Sequence, residues 1–497
     1  MHARIPKVEA EAVSVLSLRP VATTLGILLS ILGAAMLAPA AVDFAARSGG
    51  QGAFVGGAAI TIFVGVLLWM SGRGATMGKL DLRQAFLLTT SAWVVLSIFA
   101  ALPLMWGHAR LSFTGAMFES MSGLTTTGAS VMSGLDAMSP GILLWRALLH
   151  WFGGIGIIAI AIAVMPVLSV GGMQLFRTES SDKSEKFLPR AGAIAKRLLI
   201  AYVGLTLACA LAFIAAGLGP FDAVTIAMST LSSGGFANSD QSITVFSKPA
   251  VDYVATVFML VAALPFPLYV RAMGGDARRL FTNPEVRLFL AIVAVFTALS
   301  FLQLTLQGVA SGETAFRWAL FTVASIISTT GFMAADYTNW GAFSDTLFFV
   351  LMFVGGCTGS TSGGIKALRI AITGKAIRQH LKRISFRSGM FPLRYGGAPV
   401  PDDVVTSVLS FVYIFILTFL IVGAALSVMG LDLRTAFSAA IACLANIGPG
   451  LGPIIGPASN YAGLPDAALW LLTATMLLGR LEILTVLVLF LPRFWRR

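Results

Sequence analysis

Near-continuous apolar runs divide the chain into ten stretches of membrane-crossing length, near residues 20–42, 53–71, 84–106, 141–169, 194–217, 250–270, 286–308, 344–370, 404–429 and 467–491. A spanning helix needs about 20 predominantly apolar residues, so the pattern predicts an all-α polytopic membrane protein. One stretch, 344–370, is interrupted by GGCTGSTSGG at 355–364. Shorter, half-apolar segments that do not reach spanning length lie between some of the runs. The first run ends on Ala38-Pro39-Ala40, which has the form of a signal cleavage site. Its length and the acidic Glu9 and Glu11 before it argue for a retained first span.

Composition agrees with this reading. Of 497 residues, 57% are hydrophobic and 11% charged, about half the charged fraction of a soluble domain. A disordered chain, a disulfide scaffold and an ordinary soluble enzyme are excluded. The net charge of +12 is unevenly placed: 27 of the 34 basic residues fall at the two termini and at 73–83, 177–197, 271–287 and 366–394. The positive-inside rule then puts both termini in the cytoplasm. This bias accounts for the basic character without nucleic-acid binding. The three cysteines and four histidines are scattered, so no metal set or membrane enzyme site is expected.

Self-comparison is more informative. Four segments share an aromatic-rich stretch of a dozen residues followed by a small polar cluster with glycine: FTGAMFESMSGLTTTGAS (113–130), FDAVTIAMSTLSSGGFAN (221–238), FRWALFTVASIISTTGFM (316–333) and LRTAFSAAIACLANIGPG (433–450). Their aligned glycines are Gly128, Gly235, Gly331 and Gly448. A helix of about 11 residues covers only ~16 Å, half a bilayer. It must enter from one side and end at mid-depth, with the negative end of its dipole facing a cation. The irregular backbone that follows is tolerated there only where it lines an aqueous cavity, and its carbonyls can replace an ion's hydration shell. The predicted unit is span, half-helix, glycine loop, span, used four times around one pore after a two-span segment. The boundaries expected are 1–82 for that segment and 83–190, 191–283, 284–395 and 396–497 for the four repeats.

These motifs, with HWFGGIGI (150–157), GGCTGSTSGGIK (355–366) and LLGRLE (477–482), resemble the Trk-type potassium uptake proteins of the TrkH/KtrB family over nearly the whole chain. The two leading spans look like the N-terminal extension of the TrkH branch. The resemblance implies K⁺ uptake across a bacterial inner membrane through a pseudo-fourfold pore, a homodimer, and a cytosolic TrkA-like nucleotide-binding ring as gating partner. It places ion-coordinating carbonyls on Thr126 and Thr127, Ser233 and Gly234, Thr329 and Thr330, and Asn446 and Ile447. K⁺ is then the transported ion and the only metal expected, with no cofactor on this chain. With a single glycine common to the four loops, selectivity for K⁺ over Na⁺ is expected to be looser than in tetrameric K⁺ channels.

Five glycines within 355–366 (Gly355, Gly356, Gly359, Gly363, Gly364) must break the helix, since each costs about 1 kcal/mol relative to alanine. The resemblance implies a flexible gate below the filter there, including Lys366. No phosphate-binding loop is formed: Lys366 follows Gly363-Gly364-Ile365 and precedes Ala367, so nucleotide binding is expected on another subunit. Arg480 lies 13 residues before Arg493, ~20 Å deeper on a continuous helix. It is expected on the pore side, bonding the loop's free carbonyls, because an i, i+2 pair with Glu482 points to different sides of a helix. Asp222, Glu313 and Asp432 are expected as helix caps. Glu119 either supports the filter from behind or attracts ions, and His150 is expected to be a packed residue. The competing reading is a K⁺ symporter coupled to H⁺ or Na⁺ on the same scaffold, although the inner halves of the spans carry almost no carboxylates beyond Glu482.

Overall fold

The structure, a computed structural model, describes residues 17–73, 81–163, 187–386 and 389–495. The 177–186 part of one predicted cytoplasmic segment lies outside the described residues. The described chain is mostly helical, and among the described residues the only strands form one two-stranded hairpin, Arg394–Tyr395 with Ala398–Pro399.

The first two spans, α1 (Arg19–Ala45) and α2 (Gln51–Ser71), pack closely because Gly26 and Gly65 bring their backbones together: a Cβ on either would stand under 3 Å from the other's carbonyl oxygen. Small residues at such crossings are how helices associate in lipid. A capping box of Asp81 and Gln84 then starts α3 (Leu82–Trp106). Four units follow. The first is α3 itself with the half-helix α4 (Phe113–Leu124), capped by Ser112, and the span α5 (Pro140–Ala163). The second is α6 (Phe187–Ala215), half-helix α7 (Pro220–Leu231), α8 (Pro249–Ala262) and α9 (Phe266–Met273). The third is α10 (Pro284–Leu306), capped by Asn283, half-helix α11 (Gly312–Ile327), α12 (Ala342–Leu351) and α13 (Ala367–Ser385). The fourth is α14 (Asp402–Val428), half-helix α15 (Leu433–Leu444), α16 (Asp466–Arg480) and α17 (Ile483–Leu487).

The half-helices have 12, 12, 16 and 12 residues, about 18–24 Å. Their burial is nearly complete toward their C-terminal ends. In three of the four units the span that follows the half-helix also packs on a half-helix of the neighbouring unit: α5 on α7, α8 on α11, α16 on α4. The outer faces of the long spans remain apolar and exposed, as at Leu207, Leu211, Leu302 and Ile421, which suits contact with lipid tails. The continuous span α5 is 67% buried in its apolar window, against 28–44% for the other continuous spans, as its central place requires.

Two of the ten predicted spans are bent, and a third is divided. The 250–270 stretch turns by 92° between α8 and α9, and 467–491 turns by 109° between α16 and the segment Ile483–Phe490. Pro265 explains the first bend, since it lacks the N–H an unbroken helix needs. At the second, Glu482 takes φ 60°. The 344–370 stretch ends its helix at Leu351 and resumes it at Ala367, the break anticipated from its glycines. Among the described residues, seven continuous helices can cross a membrane, or nine counting each bent pair as one. Of the three expected caps only Asp432 closes a helix start, accepting from the Thr435 amide at 3.1 Å; the Thr435 hydroxyl and amide hold its carboxyl below the usual range. Asp222 instead accepts from Asn238 (2.7 Å), and Glu313 pairs with Arg317 (2.8 Å). Both are in the first turn, but each has a side-chain partner elsewhere.

Candidate functional site

All four half-helices end in the same way. The amide of the second residue past the C-cap donates five residues back: Thr127 to Ser122 (2.9 Å), Gly234 to Ser229 (2.9 Å), Thr330 to Ser325 (2.9 Å) and Ile447 to Ala442 (2.8 Å). The residue before it donates three back: Thr126 to Gly123 (3.0 Å), Ser233 to Thr230 (3.1 Å), Thr329 to Ile326 (3.0 Å) and Asn446 to Cys443 (3.3 Å). This is the Schellman arrangement, which requires a left-handed residue just past the C-cap. Thr126, Ser233, Thr329 and Asn446 supply it, with φ of 52°, 55°, 57° and 55°. Sequence reasoning assigned the unusual backbone to the glycines alone. The earlier left-handed residue was missed because a β-branched threonine disfavours that region by about 1–2 kcal/mol. Only Asn446, a residue tolerant of it, carries a sequence signal.

The glycine two residues later is left-handed as well, with φ of 82°, 83°, 79° and 100° for Gly128, Gly235, Gly331 and Gly448. Each glycine abuts a neighbouring loop. A Cβ on Gly128 would overlap the carbonyl oxygen of Gly234, one on Gly235 that of Thr330, one on Gly331 that of Ile447, and one on Gly448 would crowd that of Thr127. The sequence of contacts returns to its start, so the four loops form a closed ring. Bonds between neighbouring loops brace it: Gly134 N–H to Asp240 (2.6 Å), Met333 N–H to the Ser242 hydroxyl (3.1 Å), and Tyr461 N–H to the Ser130 carbonyl (2.8 Å). A cavity of about 240 Å³ adjoins the ring, lined in part by Gly128, Gly235, Gly331, Pro449 and Asp240.

The carbonyls of the eight residues ahead of the glycines receive no backbone amide among the described residues. All eight residues are buried. Each buried carbonyl left without a partner costs about 1–3 kcal/mol, so such a ring is stable only if water or a cation solvates it. The Thr127 and Thr330 hydroxyls are turned to the Thr125 and Ser328 hydroxyls (2.7 and 2.8 Å), and Asn446 bridges the Thr127 hydroxyl (2.9 Å) and the Met476 carbonyl (3.0 Å).

The glycine-rich segment 352–366 packs directly on three of these loops. The Ser233 and Thr361 hydroxyls are 2.7 Å apart, Gly363 N–H donates to the Thr329 hydroxyl (2.9 Å), and a Cβ on Gly363 would overlap the Ala445 carbonyl. Its feet are tied, Ile365 to Phe353 (3.2 Å) and Lys366 to Val354 (2.8 Å). Gly355 and Gly364 meet backbone to backbone at this neck. Gly356 is crowded by the Ser362 side chain, and Gly359 is left-handed with φ 78°. The segment is also sewn to the bend between α8 and α9: Cys357 N–H donates to Ala263 and Phe266 N–H to Gly359, both at 2.9 Å. One oxygen of the buried Glu285 accepts from Thr358 N–H (2.6 Å) and Leu368 N–H (3.2 Å).

Arg480 is buried at the last residue of α16 and donates through Nη1 to the Thr361 carbonyl at 2.8 Å. Its Nε and Nη2 meet no partner among the described residues. The helix ends there, so the ~20 Å depth expected from a straight helix to Arg493 does not apply. Glu482 pairs instead with Arg369 of α13. Glu119 has a supporting role: it holds Arg146 (2.9 Å), the Ser130 hydroxyl (3.0 Å) and the Val131 amide (2.9 Å). His150 is packed, stacked on Phe236.

The TrkH family model, "Cation transport protein", matches residues 50–497. The chain is 47% identical to the Trk system potassium uptake protein TrkI of Halomonas elongata over 419 residues, 83% of this chain and 84% of that protein. It is 36% identical to TrkH of Escherichia coli K12 over 483 residues, covering 96% and 99%. The crystal structure of the potassium transporter TrkH from Vibrio parahaemolyticus superposes with a TM-score of 0.89 at 36% identity, covering 97% of this chain and all of that one.

Proposed function

Because this chain belongs to the TrkH family of cation transport proteins, we propose that it takes up K⁺ through the ring of four loops, as a transporter of the potassium uptake class and not an enzyme. The observation that carries this reading is the closed ring itself. Eight buried carbonyls without amide donors stand at the C-terminal ends of four half-helices, where the helix dipoles favour a cation. Carbonyls so placed can substitute for a hydration shell. The filter is then formed by Thr126, Thr127, Ser233, Gly234, Thr329, Thr330, Asn446 and Ile447, with the four glycines setting the approach of neighbouring loops.

In this reading the 352–366 segment is the gate and Arg480 its latch, its positive charge opposing a cation at the constriction. Both termini face the cytoplasm of a bacterial cell whose inner membrane holds the protein, by the charge distribution. The protein works as a homodimer with a TrkA-like cytosolic regulator; the names of its relatives, components of Trk systems, support a multi-part assembly. Buried carboxylates are already engaged: Glu119 and Glu482 with arginines, Glu285 with two amides, and Asp43 with the Ser139 hydroxyl and Gly141 amide. That arrangement favours passive conduction over proton-coupled symport.

The test is uptake of K⁺, Rb⁺ and Na⁺ by purified protein in liposomes, with and without an imposed proton gradient. K⁺ and Rb⁺ uptake that exceeds Na⁺ uptake and ignores the proton gradient is expected. Uptake that requires the gradient would favour the symporter.

A further inference from the structure

The second loop departs from the other three. Thr127, Thr330 and Ile447 precede their glycines, whereas loop 2 has Gly234. The reason lies in α5. A Cβ on Gly234 would overlap the imidazole of His150, so the ring occupies the space a side chain would need. The loop thereby loses the hydroxyl pair that loops 1 and 3 make within themselves, Thr125 with Thr127 and Ser328 with Thr330.

An external support takes its place. The His150 ring stacks on Phe236, centroids 4.0 Å apart and planes within 18°. The Arg146 guanidinium carbon also lies 4.0 Å from the centre of the Phe236 ring. Two groups could not share one face of a phenyl ring at that distance without overlapping, so they sandwich it. Arg146 and His150 are i, i+4 and share one face of α5. Both also hold backbone next to the filter glycine. Phe236 N–H points at His150 Nδ1 (3.4 Å) and Arg146 Nη1 donates to the Ala237 carbonyl (2.9 Å). An amide only donates, so Nδ1 accepts in this contact; the Ser229 hydroxyl lies 3.4 Å from the same Nδ1. Arg146 is fixed in turn by Glu119 of α4. The matching positions of α16, aligned through Gly153 and Gly479 (which abut the Leu124 and Leu444 carbonyls), are Leu472 and Met476, so the sandwich belongs to α5 alone of these two helices.

We infer that the Arg146–Phe236–His150 sandwich positions the backbone of the second filter loop and thereby sets discrimination between K⁺ and Na⁺, with Phe236 and His150 as positioning residues. The inference rests on the filter reading above. It assigns to α5 a control over the neighbouring unit's loop that the loop's own side chains cannot exert.

The experiment compares Phe236→Leu, His150→Gln and Gly235→Ser with wild type, all as purified full-length protein in liposomes, reading Na⁺ and K⁺ uptake separately. Phe236→Leu keeps apolar bulk and the amide but removes the ring. It is expected to raise the Na⁺:K⁺ uptake ratio roughly fivefold, the factor given by loss of a contact of cation–π strength. His150→Gln keeps an acceptor and leaves Phe236 in place. It is expected to shift the ratio in the same direction, and it serves if Phe236→Leu yields no monodisperse protein. A fall in total uptake at unchanged ratio in both variants would assign the sandwich to stability alone and overturn the inference. Gly235→Ser separates the two levels. If it changes the ratio while neither sandwich variant does, the filter reading stands and the positioning role falls. If none of the three changes it, the filter reading itself fails.

Discussion

Two left-handed residues in one loop make different demands. Thr126 has φ 52°, is fully buried beside Gly153, and its hydroxyl meets no partner among the described residues; what strains it is its backbone conformation. Gly128, two residues on, has no room, because the Gly234 carbonyl fills the place of a Cβ. Thr126→Asn is therefore expected to keep folded yield and K⁺ uptake within about twofold of wild type, since asparagine suits this conformation. Gly128→Ala is expected to lose most selective uptake, because the Gly234 carbonyl of the neighbouring loop must move. Size-exclusion yield alongside Rb⁺ and Na⁺ uptake measures both, and equal tolerance at the two positions would contradict ring closure. Arg480 presents a third case. Its one bond to the loop is to the Thr361 carbonyl, and Arg480→Ala is expected to raise K⁺ flux and weaken its dependence on the proposed cytosolic regulator. Abolished flux in correctly folded protein would make the residue structural.

Among the elements, the glycine-rich segment and the two bends are joined, by backbone bonds involving Ala263 and Gly359 and by the Arg480 bond to the Thr361 carbonyl. Shortening 355–364 is expected to raise flux in the absence of the regulator. Glu285→Gln, which weakens the hold on the Thr358 and Leu368 amides, is expected to do so to a smaller degree. A shortened loop that folds and conducts at the wild-type level would mark the segment as a structural kink. Part of this design could be read from sequence. The half-helices were legible because four copies recur in register, and the break at 355–364 because its five glycines cannot sustain a helix. The bend at Pro265 was not, because proline is tolerated within spanning helices and the amide and carbonyl that satisfy the broken turn come from residues some 90 positions later. The bend after Arg480 left no trace either, since LLGRLEIL is a good helical sequence and Glu482 is turned by its pairing with Arg369. The packing that makes Gly234 necessary was equally invisible, as it depends on a histidine 84 residues earlier in the chain.

For the whole molecule, the asymmetric distribution of basic residues predicts sidedness. A single cysteine introduced at Lys382 is expected to resist an impermeant maleimide in intact cells, and one at Asn460, beside the ring's cavity, to react; labelling of the first from outside would invert the topology. The ring also has a consequence for how the molecule is made. Three of its four junctions join units adjacent in the chain, but the fourth sets Gly448 against Thr127 and bonds Asn446 to the Thr127 hydroxyl across 319 residues. A ribosome delivers these partners some 319 residues apart. Until the fourth unit is inserted, the nascent chain is an open arc whose first loop lacks its neighbour. The ring therefore closes only after that unit is made, and truncation anywhere before Tyr461 removes part of the junction that completes it.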